Sequence, residues 1–209
     1  MSNQDEIFDI YDDKLNWIGT APRSEVHKQG YWHQTFQCWI LSCEGPEPSL
    51  LLQLRSADKD LFPNLLDISS AGHLAAGETM RDGVRELEEE LGLKVEFDEL
   101  LACGTFAEED LVSETLIDRE FCHIFIYRCD QPLKAYQLQE EEVSGIFAVN
   151  MKELEQLVSG DAATVTVKGI IPGSGEVIRA IALSDLVPHP AAYYQLLFQA
   201  LRRYELAGK

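Results

Sequence analysis

Glu86, Glu89 and Glu90 are the residues whose spacing most directly suggests chemistry; they lie in the run MRDGVRELEEELGL, Met80 to Leu93. On a helix turning about 100° per residue, with Glu86 at 0°, Glu89 falls near −60° and Glu90 near +40°. Met80, Val84, Leu87 and Leu91 fall between about 100° and 160°, so one face is apolar and three carboxylates stand nearly opposite it. Like charges at i,i+3 and i,i+4 each cost a helix a few tenths of a kcal/mol, so a cation is expected to compensate them. Hard divalent ions take oxygen ligands, and Mg²⁺ accepts one or two carboxylates while keeping waters for substrate phosphates. The alternative is a solvated acidic face on an acidic protein.

The elements around this run must position it. The helix is expected to begin near Thr79, a candidate N-cap with Asp82 three residues later, and to stop at Gly92. A glycine-bearing loop from Gly72 to Glu78 leads into it. Before that come a hairpin over Ile7 to Gly19, a loop with Pro22 and Gly30, strands at 35–43 and 49–55, a loop at 56–66 and a short strand at 67–70. After it come strands near 100–107, 120–129 and 145–149, and a helix over 151–158. A hairpin of TVTVKGII and EVIRAIAL about a Pro-Gly-Ser-Gly turn follows, then an amphipathic helix after Pro190. That last helix is suited to cover the sheet or to form a homodimer contact.

The 209 residues carry 17 Lys and Arg against 36 Asp and Glu, a formal net charge of −19 that excludes sequence-independent binding of nucleic acid. No apolar run approaches the roughly 18 residues of a membrane helix. The acidic start, Met1 to Glu6, lacks the positive region of a signal peptide, so a cytoplasmic location is expected. Five cysteines (Cys38, Cys43, Cys103, Cys122 and Cys129), with no CxxC pair and strand-like neighbours, read as buried thiols.

From Gly72 to Leu93 the chain reads GHLAAGETMRDGVRELEEELGL, which resembles the Nudix box: G, five residues, E, seven residues, then REUxEExGU with U aliphatic. Gly72, Glu78, Arg85, Glu86, Leu87, Glu89, Glu90, Gly92 and Leu93 match. One residue is missing between Glu78 and Arg85, which leaves the role of Glu78 open. The resemblance implies an α/β/α sandwich with a mixed sheet as one domain over residues 1–209. Its core would span about 30–158, with an N-terminal hairpin extension over 1–29 and a C-terminal hairpin and helix over 159–209. It also implies Mg²⁺ or Mn²⁺ at Glu86, Glu89 and Glu90, with the Gly72 carbonyl as a further ligand and Arg85 orienting the glutamates.

Over about Ile7 to Leu157, through RSEVHKQGYWH, LLLQLRSADKDLFPNLLDISSAGH and DREFCHIFIY, the chain also resembles type I isopentenyl-diphosphate isomerases. Those isomerases hold a metal with three histidines and two glutamates, and the matching positions are His27, His33, His73, Asp118 and Glu120. Asp118 and Glu120 at i,i+2 would share one face of a strand. His33 alternatively reads as a strand residue packed beside Trp32. The isomerase cysteine before the Gly-His pair is Ala71 here, and proton transfer to an alkene needs a positioned acid.

The expected activity is therefore divalent-metal-dependent hydrolysis of a small diphosphate substrate, of the nucleoside diphosphate-X type. Glu120 would be a ligand or the general base, and Arg55 and Lys59 would grip the diphosphate. An isomerase-like enzyme and a binding module that keeps the fold without the chemistry are the alternatives. Trp32, Phe62, Tyr193 and Tyr194 are candidates for base stacking or for plain packing, and the run Glu140 to Glu142 is a late carboxylate source or a solvated loop.

Overall fold

The near-continuous apolar runs TFQCWIL and LLLQL require a sheet covered on both faces. In the computed structural model, which describes residues 6–59, 61–113 and 116–206, that sheet is present. The first half comprises β1 (Ile7–Tyr11), β2 (Trp17–Pro22), α1 (Arg23–Gln29), β3 (Trp32–Ser42), β4 (Ser49–Arg55), β5 (Leu66–Asp67), β6 (Ser70–His73) and α2 (Arg85–Leu91). The second comprises β7 (Leu101–Ser113), β8 (Leu116–Arg128), β9 (Val143–Asn150), α3 (Met151–Ser159), β10 (Thr164–Ile171), β11 (Gly175–Ala182) and α4 (Ala191–Leu206). Residues 1–5, Asp60 of the expected loop at 56–66, 114–115 and 207–209 lie outside the described part.

The sheet runs β11, β10, β9, β4, β3, β1, β2, with β6 and β8 also bonded to β3, β7 to β8 and β5 to β4. Strand β3 is parallel to β8 and antiparallel to β6, so the sheet is mixed. Alternation divides the core. Trp39, Leu41, Leu50 and Leu52 face Leu154, Leu157, Tyr193, Leu197 and Phe198 of α3 and α4. Cys38, Ile40 and Leu51 face Leu87 and Leu91 of α2 on the other side. This is the expected α/β/α sandwich, and the apolar face of α4 is spent on covering the sheet.

Four features differ from the sequence reading. The segment after Pro22 is a helix, because Pro22 enters it extended and Gly30 closes it at φ 65; with only Val26 buried in seven residues, it has no apolar period to read. Helix α2 starts at Arg85 after a 3₁₀ turn over Asp82–Val84. Thr79 is not its cap; Asp82 reaches back to accept from the Thr79 amide at 2.8 Å and hydroxyl at 2.7 Å. The strand expected at 67–70 is split into β5 and β6. Finally, β7 runs on through AEEDLVS and β8 begins at Leu116 rather than Glu120, which no alternation betrays, and the longer pair adds Glu108, Asp110 and Asp118 beside Glu120.

The five cysteines are free; Cys38, Cys103 and Cys122 are buried and Cys43 and Cys129 half-buried. Among the described residues no helix is long and apolar enough to cross a membrane.

Candidate active site

Helix α2 is fixed by Leu87 and Leu91, both fully buried, and this turns its acidic face onto β6. Glu90 is buried and accepts from the Ala71 amide at 3.1 Å. The Glu86 carboxyl lies against Gly72, where a Cβ would come within 2.1 Å of its carboxyl carbon; only glycine lets the strand backbone and this carboxylate approach so closely. Burial, reinforced by Glu90, pushes Glu86 up to about 7, and burial likewise raises Glu90. Carboxylates crowded and desolvated in this way are stabilised by a divalent cation.

Arg85 ties the acidic face together. Its guanidinium donates to both oxygens of Glu78 at 3.1 Å, to the His73 carbonyl at 3.1 Å, to Glu89 at 3.1 Å, and to Glu86. Glu78 also accepts from the Ala75 amide at 2.8 Å. The place left open by the missing residue is therefore filled: Glu78 is the bidentate partner of Arg85 and braces the loop.

The second half of the site comes from strand register. His33 pairs with Glu120 across β3 and β8, and Thr35 pairs with His73 across β3 and β6, so side chains of three strands meet on one face. His27 from α1 joins them. The Asp118 Oδ1 lies 3.6 Å from Nε2 of both His27 and His33, and Glu120 Oε1 lies 3.4 Å from His73 Nε2 and 3.9 Å from His33 Nε2. All five positions matched through the isomerase resemblance are thus brought together, and His27, His33 and His73 on one hand, and His33, Asp118 and Glu120 on the other, place ligand atoms within 4.8 Å of one another.

The imidazole tautomers follow from the neighbours. Burial, then His73, holds His33 down at about 3, and its Nδ1 lies 3.2 Å from the Tyr31 carbonyl. A neutral ring donating from Nδ1 leaves the Nε2 lone pair facing Asp118 and Glu120, the arrangement of a metal-ligating histidine. Neither His33 Nε2 nor Asp118 Oδ1 has a hydrogen-bond partner among the described residues. His73 differs, because Arg23 Nη1 sits 3.2 Å from its Nδ1. An arginine can only donate, so neutral His73 carries its proton on Nε2, toward Glu120.

Arg55 and Lys59 line the same cavity as Glu86 and Glu120. The Arg55 guanidinium donates to Asp67 at 2.7 Å and twice to the Leu61 carbonyl, at 2.9 and 3.1 Å, and Lys59 pairs with Glu142. Burial lowers the Lys59 pKa. Asp67 in turn meets His189, whose ring reaches Asp67 through Nε2 and Glu108 through Nδ1, both at 3.1 Å.

Burial would lower His189, but the bonds to Asp67 and Glu108 outweigh it and raise it to about 10. A histidine raised above its ordinary 6.5 contributes stability in full below that value and loses it as pH climbs toward about 10. Tyr193 and Tyr194 also face the ring. The stability margin of the wild type over His189→Ala is accordingly expected to be largest near pH 6 and to shrink toward pH 10, as urea unfolding at stepped pH would measure.

Most of these groups line one cavity of about 620 Å³, whose wall does not include His27, His33 or Glu78. It unites Gly72, Arg85, Glu86, Glu89, Glu90 and Glu120 with Arg55 and Lys59, and takes His73 and Asp118 from the histidine and carboxylate set. It adds Arg23, Glu108, Asp110, Glu142 and His189, which the sequence reading did not select. Of these only Glu142 had a signal, as part of an acidic run; the others are single polar residues on segments whose place in space depends on the fold. Of the four aromatic candidates, Phe62 lines the cavity, Tyr193 and Tyr194 are buried, and Trp32 stacks on Phe121 at 4.8 Å.

A family model described as the NUDIX domain matches residues 32–166. The chain belongs to the Nudix family. It is 39% identical over 202 residues to an uncharacterized Nudix hydrolase of Clostridium acetobutylicum, covering 95% of this chain and 98% of that one. It is 32% identical to isopentenyl-diphosphate Delta-isomerase 2 of Photorhabdus laumondii over 81% of this chain and 92% of the relative. The crystal structure of a Deinococcus radiodurans protein, DR0079, shares the fold with a TM-score of 0.57 at 23% identity, over 74% of this chain and 90% of that one. The chain is thus a Nudix hydrolase that also resembles the isomerases, and a need for divalent metal is general among Nudix hydrolases.

Proposed function

We propose that this Nudix hydrolase cleaves, with Mg²⁺ or Mn²⁺, the diphosphate linkage of a nucleoside diphosphate-X type substrate. The observation that carries the reading is the meeting, in one cavity, of the Glu86, Glu89 and Glu90 face with the cations Arg55 and Lys59. Glu86, Glu89, Glu90 and the Gly72 carbonyl would hold divalent metal, and Glu120 would do so with His33 and Asp118. Metal bound there supplies charge neutralisation at the diphosphate oxygens and a more acidic water.

The chain's own residues do the rest. Arg85 keeps Glu86 and Glu89 in place, and the buried Glu90 is oriented by the Ala71 amide. Arg55, braced by Asp67, meets phosphate oxygen with a planar fork, and Lys59 adds a point charge. Glu120, held by the Thr35 hydroxyl at 3.1 Å, would serve as a ligand there or, left unligated, as the base for a water entering the cavity. Phe62 offers the ring on which X stacks.

The assembled histidine and carboxylate cluster favours a second reading, an isomerase acting on a prenyl diphosphate. Against it, Ala71 carries no acid, and no cysteine lines the cavity among the described residues. A panel of nucleoside diphosphates, dinucleotides, sugar nucleotides and isopentenyl diphosphate decides, with phosphate and nucleotide release followed in Mg²⁺ or Mn²⁺. Cation-dependent release that Glu90→Gln abolishes is the expected result. Isomerised prenyl diphosphate would overturn hydrolysis, and ligand binding without turnover in either metal would make the chain a binding module.

A further inference from the structure

The family match ends at residue 166, yet the cavity takes part of its wall from beyond it. The chain between β11 and α4 docks back on β5. The Val187 amide donates to the Leu66 carbonyl at 2.8 Å, and Leu186 forms a parallel bridge with Leu66. His189 follows between Pro188 and Pro190, whose rings restrict the backbone on either side. Its imidazole stacks on Tyr193 at 4.6 Å, and the Tyr193 hydroxyl is itself held by Trp39 at 3.0 Å and Gln37 at 2.9 Å.

Both ring nitrogens of His189 point at carboxylate oxygens 3.1 Å away, Asp67 on one side and Glu108 on the other. Carboxylates as acceptors require a proton on each nitrogen, so the ring is a buried imidazolium. Asp67 uses one oxygen for His189 and the other for Arg55, at 2.7 Å. The Ile68 amide also donates to the His189-facing oxygen at 2.8 Å, and the Leu61 carbonyl holds the other side of the guanidinium. Without the imidazolium, Asp67 would keep the amide but lose the charged partner opposite Arg55, and the Nη1 end of the Arg55 fork would be held less firmly.

We propose that His189 is a positioning residue: through Asp67 it sets the Arg55 guanidinium for a diphosphate group, so the segment after the family core takes part in substrate recognition. The inference rests on the reading of Arg55 as a diphosphate contact. A mobile arginine must be ordered as it binds phosphate, whereas a braced one has already met that cost.

The test is a double-mutant cycle on the full chain, with calorimetric titration of methylenediphosphonate in Mg²⁺. Arg55→Ala and His189→Gln should each weaken binding about tenfold, and the double variant should bind like Arg55→Ala alone. Leu157→Ala, which opens a void between α3 and the sheet away from the cavity, should lower Tm and keep wild-type affinity. Multiplying losses in the double variant, wild-type affinity in His189→Gln, or an equal loss in Leu157→Ala would each overturn the proposal while leaving Arg55 as a diphosphate contact. Wild-type affinity in Arg55→Ala would instead overturn the Arg55 reading, and the proposal with it. Nitrogen NMR of the unsubstituted protein at about pH 8 gives an independent check: a doubly protonated His189 ring is expected, and a neutral ring would overturn the proposal.

Discussion

Glu86→Gln is expected to slow turnover by orders of magnitude and yet make the metal-free protein harder to unfold. The Glu86 carboxyl is held up at about 7 by burial and by Glu90, against an ordinary 4.5. A raised carboxylate means that the folded state binds its proton more tightly than the unfolded state. Its ionisation therefore costs stability as pH rises from 4.5, and the cost is complete above about 7. Replacing it with a neutral amide of the same shape should recover on the order of 1–2 kcal/mol at pH 8, part of the shift being offset by the weakened bond to Arg85. The same change removes a charged oxygen from the acidic face and should lower kcat by about 10³-fold, the several kcal/mol that a metal supplies to a developing charge. Thermal melts in chelator and steady-state rates in Mg²⁺ read the two effects separately. A variant that loses activity by losing its fold would show the opposite change in Tm.

Gly72→Ala should be nearly as damaging for a different reason. Its new methyl would occupy the space of the Glu86 carboxyl, 2.1 Å from the carboxyl carbon. That group is the far end of a side chain, so the strand stays and the carboxylate moves. The expected outcome is a change in unfolding free energy below about 1 kcal/mol with a fall in kcat of about 10²-fold, because a small misplacement of a catalytic group is expensive. Calorimetric titration with Mn²⁺ should show weaker binding in step with the rate. Full activity in this variant would mean that Glu86 works from another position.

The acidic helix illustrates how much a linear reading can carry. Glu86, Glu89, Glu90 and the buried Leu87 and Leu91 are set by residue type and helical period, and both are local properties of the chain. So are Gly92 as the helix stop, at φ 70, and α4, whose 191–206 span follows its amphipathic pattern. The two-faced cover of β3 and β4 is likewise implied by their unbroken apolar runs.

Arg23, Glu108, Asp110 and His189 were out of reach because nothing local distinguishes them. Glu108 became a site residue when β7 paired with β8 and set it opposite Glu120. His189 joined the cavity when its segment docked on β5. The role of Glu78 shows the division within a single motif. The missing residue before Arg85 was visible in the sequence, but only the folded loop made Glu78 the bidentate partner of Arg85. The sequence by itself determined which side chains could bind a cation and which strands must be buried, since period and composition act over a few neighbouring residues. Tertiary structure alone decided which distant charges face one another, because that depends on strand register, and a shift of one residue would send each of them to the other face.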